Sequence, residues 1–142
     1  MTLVVDASVI VKWLLHDPER EDLTERATRL MTHVLEGREP IVQPAHWLLE
    51  VTAVLARLSP RSAIDDVVML QGLELPIDDG ALALSRACRL AIDLGQHVFD
   101  TLYHAIALEL PGCTLITADE RYWAAAAPLG RIVRLRDWQD PL

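Results

Sequence analysis

Short apolar runs alternate along the chain with longer stretches of helical period, and that alternation limits the fold more than any other feature. Leu3-Val4-Val5 ends at Asp6, Ile41-Val42 stands before Pro44, Thr114-Leu115-Ile116-Thr117 is the strongest run, and Arg131-Ile132-Val133 is the last. Apolar runs without polar alternation belong to strands covered on both faces. The segments between them each carry one apolar stripe. Leu23, Ala27, Leu30, Met31, Val34 and Leu35 recur at helical spacing and close at Gly37. Strands and helices in this order predict a parallel sheet packed between helices, an α/β fold.

The remaining elements follow from caps and breakers. Ser8 is placed to cap a helix from Val9 to Leu15, which Asp17-Pro18 ends. After Pro44, the residues Trp47, Leu48, Val51, Val54, Leu55 and Leu58 mark one helix face. Ser59-Pro60 predicts an N-cap with proline in the first helical position, opening a helix through Leu70. Leu73 to Pro76 is a weak strand, and Asp78-Asp79 opens a long helix that Gly95 stops. Asp100 opens the next helix, which ends at Pro111-Gly112, and a short helix spans Tyr122 to Ala126. There is no repeat, linker or low-complexity tract, so one domain over residues 1–142 is expected.

Composition enters mainly through charge. Twenty-one acidic residues against thirteen basic ones give a net charge of −8, which argues against a broad basic face for duplex DNA. Cys88 and Cys113 are the two cysteines and form no CxxC, so neither a disulfide framework nor a structural zinc site is expected. Asp6 and Lys12 interrupt the apolar start, which makes it a poor signal peptide. No apolar run approaches the roughly 18 residues of a membrane span. A cytoplasmic protein without membrane contact is the expectation.

In parallel sheets function gathers beyond the carboxyl ends of the strands. Asp6 follows the first strand and Asp119 follows Thr114–Thr117. Asp100 lies at a helix start, where the dipole favours a carboxylate, and Glu50 borders the apolar stripe of its helix. Taken singly, each has an ordinary role: Asp6 and Asp119 as caps, Asp100 as a helix-start acid, Glu50 on a solvated face. Ser8 and Thr117 likewise serve as a cap and a strand-end hydroxyl. Taken together, converging carboxylates repel one another unless a cation lies between them. Mg²⁺ or Mn²⁺ suits oxygen donors, and such an ion activates water against phosphodiesters.

These positions resemble the PIN-domain ribonucleases, most closely the VapC-type toxins of bacterial toxin–antitoxin pairs. Asp6-Ala7-Ser8 matches the opening motif, and Pro44 with Glu50 matches the proline-then-glutamate helix. Phe99-Asp100 with Tyr103 and Ala105-Ile106-Ala107 is similar to the Tyr-Asp-x-x-Tyr-x-x-Ala segment, with phenylalanine in place of the first tyrosine. Leu115-Ile116-Thr117-Ala118-Asp119 is similar to the Leu-x-Thr-x-Asp ending. The resemblance implies a PIN-like three-layer α/β/α fold with a short-stranded central parallel sheet. It implies a catalytic, metal-binding quartet of Asp6, Glu50, Asp100 and Asp119, supported by the hydroxyls of Ser8 and Thr117. It further implies Mg²⁺, with Mn²⁺ as the alternative ion, RNA as substrate, a homodimer, and a cognate antitoxin protein as partner.

Other residues read as ordinary. Lys12, Arg57, Arg86 and Arg121 are solvated bases. Trp13, Trp47 and Trp123 belong to core or interface by their apolar neighbours. His46, His97 and His104 show no spacing that converges with the acids. Ser8 stands where a haloacid-dehalogenase-like phosphatase needs a second aspartate, and no late lysine of a receiver domain follows the Thr117 strand. Two PIN-type alternatives stay open: a housekeeping nuclease of RNA processing and a catalytically silent partner-binding module.

Overall fold

The computed structural model describes residues 1–15 and 22–141. It is a mixed α/β structure with a central parallel sheet. Three strands, β1 (Thr2–Val5), β4 (Cys113–Thr117) and β5 (Ile132–Arg134), lie in the order β1-β4-β5, with Val5 opposite Ile116 and Thr117 opposite Arg134. Leu3, Val4, Val5, Leu115 and Ile116 are almost wholly buried, as expected of a sheet covered on both faces. The helices are α1 (Ala7–Leu15), α2 (Thr24–Leu35), α3 (Trp47–Leu58), α4 (Ala63–Gly72), α5 (Ala81–Leu94), α6 (Val98–Glu109) and α7 (Glu120–Ala126). α6 packs on β1 and β4, α1 reaches β4, and α7 packs on β5. Among the described residues no helix is long and apolar enough to cross a membrane. The Asp17-Pro18 break lies outside the described residues.

Local sequence signals set most element ends. α2 buries Ala27, Leu30, Met31 and Val34, the predicted stripe. Gly95 closes α5 with φ +64°, a left-handed conformation that costs glycine little.

Several predicted boundaries move, among them the start of α5, which lies at Ala81 and not at Asp78-Asp79. Ile41 makes only a single bridge to Leu3, and the strand proper is β2 (Gln43–Pro44), paired in parallel with β3 (Ile77–Asp78). Proline is tolerated there because a two-residue edge strand asks little of its missing N–H. Leu73 and Glu74 do not form a strand, because their amides close the end of α4 on Leu70 and Gln71. Ser59 caps the end of α3 and Ser62 stands at the N-cap of α4, the two hydroxyls lying 2.7 Å apart.

Two polar side chains act as backbone inside the core. Gln43, fully buried, accepts from Val5 N–H and donates to the Val5 carbonyl, both at 2.8 Å, so its amide stands in for one residue of a neighbouring strand. His104, also fully buried, donates from Nε2 to the Gly130 carbonyl at 2.8 Å and accepts at Nδ1 from the Tyr122 hydroxyl at 3.1 Å. A carbonyl can only accept, which assigns the proton to Nε2 of a neutral ring.

Burial holds the His104 pKa below its ordinary 6.5. The unfolded chain therefore takes up this proton first as pH falls. The stability that depends on the neutral ring is complete above about pH 6.5 and is lost as pH drops toward the lower native value. His104→Gln should cost about 1–3 kcal/mol at pH 7.5. In urea unfolding, the advantage of wild type over this variant should shrink between pH 7 and 5. An advantage that stays constant with pH would contradict the assignment.

Candidate active site

The carboxyl ends of β1 and β4 lie side by side, and the first residues beyond them turn into helices. Asp6 N–H continues the ladder by donating to the Ile116 carbonyl at 2.9 Å. The Asp6 carboxylate then accepts from both Ser8 N–H (3.1 Å) and the Ser8 hydroxyl (2.5 Å). Asp6 rather than Ser8 therefore caps α1, because Ser8 already lies inside the first turn. Ser8 Oγ instead links two strands, since it also accepts from Ala118 N–H at 3.0 Å and so ties the end of β1 to the end of β4. Thr117 Oγ1 accepts from Asp119 N–H at 3.0 Å, and Asp119 Oδ1 accepts from Tyr122 N–H at 2.9 Å as the cap of α7. The structural roles open to Asp6 and Asp119 are thus both filled, and they fix where these carboxylates stand.

Glu50 and Asp100 come from the first turns of α3 and α6, where the helix N-termini favour negative charge. Neither caps its helix. Burial pushes the Asp6 pKa up to about 7, with Glu50 and Asp100 raising it further against the lowering effect of Ser8. Its side chain keeps partial access to solvent. Asp100 is raised by burial, then by Glu50 and by Asp119. Glu50 thus acts on both Asp6 and Asp100, and Asp119 acts on Asp100, so like charges delivered by four separate elements are felt by one another.

One further member is not among the candidate residues read from the sequence. His46 precedes α3, and its Nε2 lies 2.8 Å from the Phe99 carbonyl and 2.6 Å from Glu50 Oε1. The single Nε2–H is directed at Phe99, so Glu50 Oε1 is an ion-pair partner off that axis and keeps no well-aligned hydrogen bond. Burial alone would lower the His46 pKa. The contacts with Glu50 and Phe99 outweigh it, and the net direction is upward. The ring packs edge-on against Tyr103, with centroids 5.0 Å apart. Tyr103 is fully buried, with its hydroxyl in reach of Glu50 and the Ala7 backbone yet aligned with neither. The one signal for His46 is its offset of four residues from Glu50, which puts the two side chains on one helical face.

Basic groups around the crevice are already engaged. Arg134, at the end of β5, binds Asp137 (2.7 Å) and Glu120 (3.3 Å), with its guanidinium 4.1 Å from the centre of the Trp123 ring. Lys12 departs from its expected place on the surface: it is buried and paired with Asp22 at 2.7 Å. Arg86 is exposed as expected and pairs with Glu109.

A divalent cation fits this donor set. Part-buried carboxylates whose neighbours raise the pKa of Asp6 and Asp100, together with a Tyr103 hydroxyl that has no aligned partner, form a site short of positive charge. Among the described residues no three Asp, Glu, His or Cys side chains close into a ready coordination shell. An ion bound here would be held by one or two carboxylates, with water completing its shell.

The family model described as PIN domain matches residues 3–128. The chain belongs to the PIN domain family. PIN domains are as a class nucleases that use divalent metal ions, and the match spans all four acids and both supporting hydroxyls. No curated protein matches the chain.

If repulsion dominates the ion-free site, removing one charge should stabilise the fold. Asp100→Asn, in EDTA at pH 7.5, should raise Tm by about 2–4 °C. Added Mn²⁺ should raise the wild-type Tm and leave that of the variant nearly unmoved. A variant that melts lower in EDTA, or gains equally from Mn²⁺, would count against this electrostatic account.

Proposed function

We propose that this chain, a single PIN-like domain over residues 1–142, is a metal-dependent endoribonuclease of the VapC type, a toxin restrained by a cognate antitoxin. What supports the nuclease reading is the PIN domain match together with the charge of Glu50 acting on Asp6 and Asp100 and that of Asp119 acting on Asp100. Asp6 and Asp100 are the surest contacts for Mg²⁺, or for Mn²⁺ in its place, and Glu50 and Asp119 hold or orient the ion and its water. A bound ion supplies a water of lowered pKa and stabilises charge on the attacked phosphate.

The chain's own residues do the positioning. Ser8 holds the Asp6 carboxylate through two hydrogen bonds and anchors the Ala118 amide. Thr117 fixes the Asp119 backbone. His46 bridges Glu50 to the turn that carries Asp100. Tyr103 closes the bottom of the crevice to solvent with a neutral hydroxyl, since burial holds its pKa far above the ordinary phenol value.

The toxin role rests on the VapC-like order of motifs from Asp6 to Asp119. The homodimer rests on the same resemblance. A cytoplasmic location accords with an RNA target.

Purified protein should cleave single-stranded RNA with Mg²⁺ and not with EDTA. Asp100→Asn and Glu50→Gln should each lose more than about a hundredfold in rate. Ser8→Ala, which only loosens a ligand's support, should lose about 10- to 100-fold. Equal cleavage by wild type and Asp100→Asn would sink the assignment of the site. Expression of the chain in bacteria should arrest growth, and a small open reading frame beside its gene should restore it. Cleavage without arrest would favour the housekeeping reading.

A further inference from the structure

Beside the acidic crevice lies an open cleft of about 340 Å³, which the reaction as described leaves unused. Leu49, Glu50 and Ala53 of α3 and Phe99 and Asp100 of α6 line it, together with His46 and His97, which precede the two helices. Leu49 is 72% exposed and Phe99 63% exposed, so both keep apolar surface in water at the mouth of a charged site. The Phe99 ring is braced against His46, with centroids 5.7 Å apart and planes at 52°. One aromatic face is thus held steady next to the proposed scissile position.

We propose that this cleft is a base subsite, in which one unpaired nucleobase of the RNA stacks on Phe99 while the adjoining phosphate lies at the acids. The inference rests on the nuclease reading and adds how substrate is held. Charge argues for it. Phosphate contacts normally dominate nucleic-acid affinity, yet this chain carries −8 overall and no lysine or arginine is among the described residues that line the cleft. Stacking offers an alternative that needs no positive charge, because every base has a π-face.

Size and shape argue for the same occupant. The cleft lies at the small end of ligand pockets, which run from about 300 Å³, and it suits one base with its ribose. Its apolar wall is limited to Leu49, Ala53 and Phe99, short of the row of anchors over successive turns that a docking helix needs.

The test compares wild type with Phe99→Ala, Phe99→Leu and Phe99→Trp on fluorescein-labelled single-stranded decaribonucleotides with a randomised central dinucleotide. KM, Mn²⁺ affinity and oligomeric state are measured for each protein. Phe99→Ala and Phe99→Leu should raise KM about 10- to 100-fold with Mn²⁺ affinity unchanged, and Phe99→Trp should restore a KM near that of wild type. RNA carrying 5-iodouridine should photo-crosslink to the peptide containing Phe99. Loss in Phe99→Ala that Phe99→Leu repairs would mean apolar filling rather than stacking, and would overturn the proposal. Unchanged KM with loss of self-association would make the cleft an interface between copies, and would overturn it too. If wild type itself neither cleaves nor binds these RNAs, the nuclease reading fails first and takes the subsite with it. If wild type cleaves and all three variants match it, the subsite alone fails.

Discussion

Like-charged carboxylates resist being brought together, and the carboxyl end of this sheet is organised around that resistance. Each acid is delivered by a different element, so no local interaction could have gathered them; the parallel pairing of β1 with β4 and the packing of α6 on both strands do so. Opposing the repulsion are two hydrogen bonds from Ser8 to Asp6, the cap that Asp119 gives α7, and the helix starts beneath Glu50 and Asp100. Stability and chemistry pull in opposite directions here: the arrangement that repels itself when empty is the one proposed to hold a cation.

The fold is legible wherever a signal is local. The stripe of α2, the glycine closing α5 and the apolar runs of β1 and β4 each read correctly because periodicity and glycine conformation need no distant partner. The second pair of strands does not read. Gln43-Pro44 has no strand character of its own and becomes one by meeting Ile77-Asp78, more than thirty positions away. Nor can the sequence tell Ser8 from Asp6 as the cap of α1, since both residue types cap well and their order along the turn decides.

The candidate site shows the same division. Asp6, Asp100 and Asp119 can be named because each sits near a predictable end of an element, and Glu50 because it borders the apolar stripe of its helix. His46 escapes a reading by spacing because its main partner is the Phe99 carbonyl, a backbone atom of α6. Lys12 reads as a surface base for a related reason, as its burial is set by how α1 packs against α2. Phe99 stands out in the sequence only as a replacement for tyrosine; its place beside an open cleft is a tertiary fact.

Two of the four acids hold two offices. Asp6 and Asp119 begin helices as well as face the crevice, whereas Glu50 and Asp100 cap nothing. Descendants of this chain released from cutting nucleic acid would still be under selection to keep Asp6 and Asp119, since folding alone requires them. Glu50 and Asp100 would be free to drift, and their relief from repulsion would even favour it. Among such descendants, the survival of that second pair is the mark of a working enzyme, while the first pair records only the ancestry of the fold.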